Sequence, residues 1–288
     1  MTPVPAGLRK RPAVSEKVVG LISHGGMGLW SLAVLLPLAW TVMSSLKTTR
    51  EIFTSPFGLP RHLQFVNYAH AWTTAGIGQY FVNTVVVVTV ALTIVMSLGA
   101  MMAYGLARFD FPGKFIIHKL VLAGMTFPIF LAVVPLFFTL KDVGLLDSLP
   151  GLILAYVAFA LPFTVFFLIP FFEDLPKEIA EAAVTDGAGE WRTFFSVMLP
   201  MAGPGIASVS ILNFVGLWNQ FLLPVVLISD PGKMMLTEGM QTFAARAGYS
   251  LDYGAMFAAA VITVIPVLIV YVAFQRRLLA SVSQGALK

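Results

Sequence analysis

The chain has 288 residues, of which 58% are hydrophobic and only 11% are charged, and its mean hydropathy is +0.87. Soluble domains carry about 25% charged residues, so this composition excludes an ordinary water-soluble fold. The formal net charge is +4, but no basic run is interleaved with aromatic residues, so we predict no nucleic-acid partner. The chain contains no cysteine, which excludes disulfides and thiolate metal sites.

Six windows of the sequence lack Asp, Glu, Lys and Arg altogether. They are 18–46, 62–107, 120–140, 148–172, 193–229 and 253–275. Each reaches the roughly 20 residues that a helix needs to cross about 30 Å of hydrocarbon. We therefore predict an all-α integral membrane protein with six transmembrane helices, at 20–45, 82–106, 117–139, 150–172, 203–228 and 255–274.

The distribution of basic residues predicts how these helices are oriented. With the segment 1–19 in the cytoplasm, twelve of the 18 Lys and Arg residues lie on the inner side and six on the outer side. This bias agrees with the positive-inside rule. Both chain ends are therefore expected in the cytoplasm, with 230–254 as an extracellular loop and 275–288 as a cytoplasmic tail.

Catalytic and energy-coupling motifs are not apparent in the sequence. The spans carry no carboxylate or amine of the kind that ion-coupled carriers usually place at membrane depth. The pairs Gly113-Lys114 and Gly232-Lys233 precede Phe and Met, so neither belongs to a phosphate-binding loop. The four histidines show no metal-ligand spacing. We expect no catalytic residue, no metal site and no bound cofactor; a secondary carrier and a membrane-embedded enzyme are the less favoured alternatives.

One hydrophilic stretch, 174–200, separates the fourth window from the fifth. Asp174 and Pro176 are suited to beginning a helix, and Gly187 after Asp186 is suited to ending it in the left-handed conformation. A second helix, which Leu199-Pro200 is expected to end, then carries an apolar stripe of Trp191, Phe194, Phe195 and Met198. The stretch is longer than a connecting turn requires and indicates a docking surface; a stable interfacial loop is the alternative.

Polar residues in the fifth span are candidates for a translocation pathway. They are Ser210, Asn213 and Gln220, at spacings of 3 and 7, with Trp218 and Asn219 beside them. Amides at membrane depth require partners, and hydrogen bonds between helices are the alternative explanation. A second polar row occurs in the second span, at Thr89, Thr93 and Ser97.

Several of these motifs carry a family resemblance. Glu181-Ala182-Ala183, Asp186-Gly187-Ala188 and Leu199-Pro200 resemble the EAA-loop signature of permease subunits of binding-protein-dependent ABC importers. Further segments are similar to the maltose-type carbohydrate permeases: Ser45-Leu46-Lys47-Thr48, Asn83-Thr84, Tyr104-Gly105-Leu106-Ala107-Arg108-Phe109, Trp218-Asn219 and Gln284-Gly285-Ala286-Leu287-Lys288. The resemblance covers roughly residues 20–288 as one transmembrane domain. Thr84 and Leu287 depart mildly from it, because the family commonly has Ser and Val there.

The resemblance implies a type I ABC importer permease fold in a bacterial plasma (inner) membrane. It implies that residues of the loop 174–200 form coupling helices and contact a separate ATPase: Glu181, Ala182, Ala183, Asp186 and Gly187. The implied partners are a second homologous permease subunit, a dimer of ATP-binding subunits that use ATP and Mg, an extracellular solute-binding protein and membrane lipid. The implied substrate is a sugar or oligosaccharide; a polyol, glycerol phosphate or other small solute is the alternative.

Overall fold

The computed structural model describes residues 14–246 and 252–285. Parts of the predicted N-terminal segment (1–13), extracellular loop (247–251) and tail (286–288) lie outside the described residues. Within those ranges the chain is helical and contains no β-strand. The predicted all-α class is confirmed.

Fourteen α-helices follow one another along the described chain. In order they are α1 (Val14–Ser45), α2 (Thr49–Thr54), α3 (Val66–Ala69, continued by a π-helical turn at His70–Thr74), α4 (Ile77–Arg108), α5 (Lys114–Thr126), α6 (Ile129–Asp142), α7 (Leu149–Glu173), α8 (Lys177–Thr185), α9 (Glu190–Thr193, continued by a π-helical turn at Phe194–Met198), α10 (Leu199–Met201), α11 (Gly203–Trp218), α12 (Leu222–Leu227), α13 (Leu236–Arg246) and α14 (Tyr253–Gly285). A 3₁₀ turn at Pro231–Lys233 precedes α13.

Four of these helices, α1, α4, α7 and α14, are long and apolar enough to cross a membrane individually. Two bent pairs of helices meet the same criterion, which raises the number of membrane-crossing segments to six. This number agrees with the six charge-free windows of the sequence.

The third predicted span, 117–139, is not a single straight helix. It consists of α5 and α6, whose axes differ by 103°. Pro128 is the residue immediately before α6, and the preceding Phe127 is extended (φ −72°, ψ 121°). Proline disfavours the helical conformation at the residue before it, which accounts for the break.

The fifth predicted span, 203–228, is also divided. Its helix α11 ends at Trp218, and α12 begins only at Leu222. On the other side, α9 and α10 meet α11 at Ala202 with a bend of 76°. Pro204 lies in the first turn of α11. Backbone N–H groups in the first turn have no partner within the helix, so the N–H that proline lacks costs no hydrogen bond there.

The packed interior consists of two apolar clusters stacked along α4 and α7, which form the most extensive helix pair in the described chain. One cluster surrounds Tyr156 and Trp218, and the other surrounds Tyr104, Phe172 and Met198. Gly99 permits the close approach of the two helices, because a Cβ atom there would lie 2.5 Å from the Thr164 side chain. The second cluster lies at the end of the bundle from which the hydrophilic loop emerges.

Candidate functional site

The hydrophilic loop 174–200 folds as two helical segments separated by a turn, as predicted. Its first helix, α8, begins at Lys177 with Pro176 as the preceding cap residue, so the prediction that Asp174 caps it was wrong. Asp174 instead follows the last turn of α7, and its N–H donates to the Pro170 carbonyl at 2.9 Å. The chain leaves α7 in a helical conformation, which places Asp174 too early to cap the next helix.

The predicted stop of α8 at Gly187 is confirmed. Gly187 has a φ of +82°, in the left-handed region that favours glycine. Its N–H donates to the Val184 carbonyl at 3.0 Å, and the Ala188 N–H donates to the Ala183 carbonyl at 2.9 Å. This pair of bonds is the Schellman arrangement, which reverses the chain sharply after a helix.

The predicted coupling residues lie on an accessible helix. No residue of α8 is buried, and Glu181, Ala182, Asp186 and Gly187 are exposed, whereas Ala183 is half-buried. The nearby Val184 and Trp191 side chains are also exposed, at 60% and 68%. This apolar and small-residue surface has the character of a contact face.

The apolar stripe of the second segment divides between the core and the surface. Phe194 and Met198 are buried with Tyr104 and Phe172, and the Phe194 and Tyr104 ring centroids lie 5.0 Å apart. Trp191 and Phe195 face outward and stack on each other with 6.0 Å between centroids. The segment continues as a helix to Met201, one residue after the predicted end at Leu199-Pro200. Packed aromatic rings therefore connect the second loop segment directly to α4 and α7.

The five predicted pathway residues do not share one surface. Ser210 is half-buried and lines an apolar groove with Phe214 and Phe274, on a different side of α11 from Asn213. Trp218 is buried, and its Nε1 donates to the Thr263 carbonyl at 3.2 Å. Asn219 is exposed and its amide donates to the Val215 carbonyl of its own helix at 2.9 Å.

Asn213 and Gln220 do come together, in a groove of about 260 Å³ between α7 and α11. Its walls are otherwise largely apolar: Tyr156, Phe159, Phe163, Leu212, Leu217 and Leu223. The Asn213 amide is 5% exposed and donates to the Thr164 hydroxyl at 2.8 Å. The Gln220 side-chain carbonyl accepts from the Phe221 and Leu222 N–H groups at 3.0 and 3.1 Å, at the beginning of α12. Aromatic rings with a few placed amides are typical of pockets for small polar organic molecules.

Thr89, Thr93 and Ser97, the second polar row, are exposed on α4. The Thr93 hydroxyl donates to the Thr89 carbonyl at 2.8 Å, so this bond stays within the helix. The row is available to a neighbouring membrane helix or to water.

At the opposite end of the bundle, the side chains of Asn83 and Thr84 hold the segment 230–236. The Asn83 amide donates to the carbonyls of Gly232 and Met234 at 2.9 and 3.1 Å, and the Thr84 hydroxyl accepts the Leu236 N–H at 2.8 Å. Sequence reasoning identified this pair only as a motif and gave it no role. Its partners lie about 150 positions away in the sequence, so no local pattern could have found them.

The same segment is held a second time by Asp147. Its carboxylate accepts the N–H groups of Ser229 and Asp230 at 2.9 and 3.0 Å, and these bonds keep the pKa of that carboxyl below its usual range. Lys233 donates to the Asp147 carbonyl at 2.9 Å and pairs with the Asp230 carboxylate at 3.2 Å. Because the pKa of Asp147 is lowered, this contribution to stability is present above its ordinary pKa and is lost as pH falls through the folded value.

The pKa of Glu238 on α13 is shifted in the opposite direction to that of Asp147. Its side chain is 4% exposed, and its Oε2 has no hydrogen-bond partner among the described residues. Burial raises the pKa of this carboxyl, because the charged form loses its hydration. The charged carboxylate therefore costs stability at neutral pH; this cost decreases as pH falls below the raised pKa and is gone below the ordinary pKa of a glutamate.

We expect Glu238→Gln to raise the stability of the purified protein at neutral pH by about 1 kcal/mol, or roughly 2 °C or more in Tm. The gain should shrink as pH falls from the raised pKa of Glu238 toward the ordinary pKa of a glutamate, because the wild-type carboxyl then becomes protonated in the folded protein. Thermal unfolding across this pH range measures both effects. Glu51→Gln is the control and should lower stability at neutral pH instead of raising it. Hydrogen bonds, chiefly the one from the Thr48 N–H, lower the pKa of Glu51. A Glu238→Gln protein less stable than wild type at neutral pH would contradict the expectation.

No group of three or more His, Cys, Asp or Glu side chains suited to a metal ion occurs in the described part of the chain.

The fold and loop define a helical membrane component of the transport class. Residues 95–284 match a family of known proteins described as the binding-protein-dependent transport system inner membrane component. The chain belongs to this family, and the predicted resemblance is confirmed.

Similar proteins agree with this assignment. The diacetylchitobiose uptake system permease protein NgcG of Streptomyces coelicolor is 59% identical over 98% of this chain and 93% of its own length. The trehalose transport system permease protein SugB of Mycobacterium tuberculosis is 33% identical over 88% of this chain and 92% of its own length. A chain from the crystal structure of a bacterial ABC transporter for alginate import superposes with a TM-score of 0.79 at 21% identity, covering 93% of this chain and 99% of that chain. The predicted type I ABC importer permease fold is confirmed.

Proposed function

We propose that this chain is the permease subunit of an ATP-driven importer for an oligosaccharide of the diacetylchitobiose class. It forms half of the translocation pathway and carries out no chemistry itself. The observation that carries this proposal is the loop 174–200, an accessible helix and turn connected to the packed bundle through Phe194 and Met198. The 59% identity to a diacetylchitobiose permease over nearly the whole chain supports the choice of solute.

In this proposal ATP and Mg are bound by a dimer of separate ATPase subunits that receives α8. Glu181, Ala182, Ala183, Asp186 and Gly187 are the contact residues. The small alanine side chains permit close approach of the ATPase, and the Gly187 turn fixes the angle between the two loop helices. The loop and both chain termini then lie in the cytoplasm, as the excess of basic residues on that side supports.

The groove between α7 and α11 is the proposed part of the pathway within this subunit. Rings of Tyr156, Phe159 and Phe163 offer apolar faces to the C–H surfaces of a sugar, and the Gln220 amide N–H groups offer hydrogen bonds to its hydroxyl and acetamido oxygens. Asn213 lines the same groove with its amide paired to Thr164. A second, homologous permease subunit supplies the other half of the pathway. Ser210, Trp218 and Asn219 remain predicted pathway residues whose contribution depends on that partner.

The segment 230–236 and α13 lie at the other end of the bundle from the loop 174–200. We propose that they face the outside and meet the solute-binding protein. The hydrogen bonds from Asn83, Thr84 and Asp147 keep this surface in a fixed position, which supports docking of a rigid partner.

The proposal is tested by reconstituting the purified permease pair, with and without its ATPases, in liposomes that receive labelled diacetylchitobiose and the binding protein. Uptake of labelled diacetylchitobiose is expected only with the ATPases and internal ATP. Unlabelled trehalose should reduce this uptake only weakly. Uphill uptake by the permeases alone on an ion gradient would establish a secondary carrier instead.

The groove is tested by Gln220→Leu, which removes the amide while the surrounding apolar wall is kept. We expect uptake to fall about ten-fold, as for the loss of one or two hydrogen bonds to a polar solute. Thr139→Val is the matched control, because the Thr139 hydroxyl donates to the Pro135 carbonyl of its own helix and has no other partner in the described part of the chain. Unchanged transport by Gln220→Leu would remove this residue from the pathway.

A further inference from the structure

The segment 46–66, which includes α2, folds back beside the end of α1. The Gln64 N–H donates to the Leu46 carbonyl at 3.0 Å, and this bond closes the base of the segment. At the far end of the segment, the Pro56 carbonyl accepts a hydrogen bond from the Trp40 Nε1 at 2.9 Å. Because Trp40 precedes the end of α1, this bond fixes the tip of the segment to the side of that helix and not beyond it.

The tip lies about one helical turn inside the ends of two membrane-crossing helices. Trp40 is five residues before Ser45, the last residue of α1, which corresponds to about 7 Å. Its ring meets the Phe257 ring edge-on with 5.1 Å between centroids, and Phe257 is in the second turn of α14. The apolar stretch of α14 has 23 residues, or about 35 Å, which exceeds the hydrocarbon thickness of about 30 Å by roughly one turn. The Pro56 carbonyl therefore lies near the boundary between headgroups and acyl chains.

The two carbonyl groups at the tip are saturated with hydrogen bonds from the protein itself. The Ser55 carbonyl accepts from the Gly58 N–H at 3.3 Å and from the Lys47 amine at 3.0 Å. The Pro56 carbonyl accepts from the Lys47 amine at 3.0 Å as well as from Trp40. A carbonyl oxygen has two lone pairs, so neither group requires water. Such internal satisfaction is what a backbone turn needs in contact with lipid.

Large apolar side chains project from this part of the segment. Phe57 and Leu59 are 86% and 84% exposed, the highest values for large apolar side chains among the described residues. Leu63 and Phe65 are also exposed, at 57% and 65%. A concentration of exposed apolar side chains marks contact with either lipid or another protein.

The charged groups favour lipid as the partner. Arg50 and Arg61 flank the apolar side chains and are exposed. Glu51, the only carboxylate in the sequence 46–66, is directed back to the chain and accepts the N–H groups of Thr48 and Arg61 at 3.1 and 3.4 Å. Cations beside apolar side chains are typical of segments that lie at the headgroup level, whereas charged residues are depleted in the cores of protein interfaces.

We propose that residues 55–65 form a wedge inserted into the lipid leaflet at the end of the bundle opposite the loop 174–200. Phe57 and Leu59 lie among the upper acyl carbons, and Lys47 and Trp40 hold the wedge at this depth. Helix α1 has few other supports, because its most apolar stretch contains no buried residue and it packs mainly on α14. The wedge therefore fixes the depth of α1 in the membrane.

Depth measurement with spin labels tests the proposal on the full-length protein, which contains no native cysteine. Phe57→Cys and Leu59→Cys replace exposed side chains, so neither disturbs the described packing. Each is labelled with a nitroxide in phosphatidylcholine–phosphatidylglycerol vesicles, and relaxation by oxygen is compared with relaxation by a water-soluble nickel chelate. We expect oxygen to dominate at both positions, at a depth of about 5–10 Å below the headgroup boundary. Gln241→Cys, exposed on α13, is the reference and should be relaxed mainly by the nickel chelate.

The same labels are measured in the protein alone and in the complete transporter. Nickel relaxation at Phe57→Cys and Leu59→Cys as strong as at Gln241→Cys would place the segment in water and overturn the proposal. Labels that oxygen reaches in the isolated protein, but that neither reagent reaches in the complete transporter, would show that a protein subunit covers the segment, and would overturn it equally. These readouts need no transport or ATP hydrolysis, so they stand apart from the test of the proposed function.

Lys47→Met tests how the wedge is held. Methionine has a similar length but no donor, so the carbonyls of Ser55 and Pro56 each lose one of their two hydrogen bonds. We expect the label at Phe57→Cys to move toward water in this background, with nickel relaxation increased several-fold. An unchanged depth would overturn the role assigned to Lys47.

Thr54→Val is the matched control for that variant. The Thr54 hydroxyl donates to the Arg50 carbonyl within α2 at 2.9 Å, and no bond from it to the tip occurs in the described part of the chain. The label depth should therefore stay as in the parent protein. If Lys47→Met fails to insert, Trp40→Phe removes the single bond from the indole to Pro56 and is measured in the same way.

Discussion

Gly187→Pro is expected to leave the protein inserted and assembled but to lower solute uptake by roughly 10- to 100-fold, the range of typical coupling free energies. The turn after α8 requires a φ of +82° at this residue, whereas proline fixes φ near −65°. Proline also removes the N–H that donates to the Val184 carbonyl. The angle between the two loop helices must then change, and the ATPase would meet a displaced α8. Uptake and ATP hydrolysis by the reconstituted complex measure the effect, with hydrolysis expected to persist while uptake is lost.

Gly189→Pro is the matched control in the same loop. Gly189 has a φ of −69°, which proline adopts without strain, and a Cβ there meets no atom within 4 Å. We expect near-normal uptake from this variant. Ala183→Trp tests the small face of α8 independently of the backbone and should also block uptake. Normal transport by both Gly187→Pro and Ala183→Trp would contradict the coupling role of the loop.

Asn83→Leu is expected to release the segment 230–236 at the other end of the molecule. Asn83 is 5% exposed, and its amide is the donor to the Gly232 and Met234 carbonyls. Leucine has a similar shape but leaves two carbonyls without this donor, at a cost of about 2 kcal/mol. Tm should fall by about 5 °C, and stimulation of the transporter by its solute-binding protein should be lost. Thermal unfolding and binding-protein-stimulated ATP hydrolysis measure the two parts of this prediction.

Gln79→Leu serves as the control for that variant. Gln79 is exposed, and among the described residues its amide donates only to the Asn83 Oδ1, at 3.0 Å, so its loss leaves both bonds to the segment intact. We expect stability and stimulation close to wild type. If Asn83→Leu behaved like Gln79→Leu, the segment would be held by Asp147 and Thr84 without help from Asn83.

Sequence reasoning predicted the elements whose signals are local. Six charge-free windows predicted six membrane-crossing segments, because the length of an apolar run is fixed by the thickness of the hydrocarbon layer. The Asp186-Gly187 pair predicted the end of α8, because the left-handed conformation at the turn depends on glycine itself. The coupling residues followed from a family resemblance and remain predictions.

The hydrogen-bond partners of individual polar residues could not be predicted in this way. Asn213, Gln220 and Ser210 have a regular spacing, yet Ser210 lies in a different groove and the Asn213 amide is paired with Thr164. The Trp218 indole N–H likewise donates to the Thr263 carbonyl. Such pairings join residues that are 45 or more positions apart, and they depend on how α7, α11 and α14 pack together.

The sequence by itself determined the membrane environment, the number of crossing segments and the position of the hydrophilic loop 174–200, because hydropathy, charge and glycine conformation act within a few residues. Only the tertiary structure decided that two of the six segments bend by 103° and 76°, which amides face a groove, and that Asn83 holds a segment about 150 residues away. These features arise from close packing and hydrogen-bond satisfaction between distant helices, and both are properties of the folded chain as a whole.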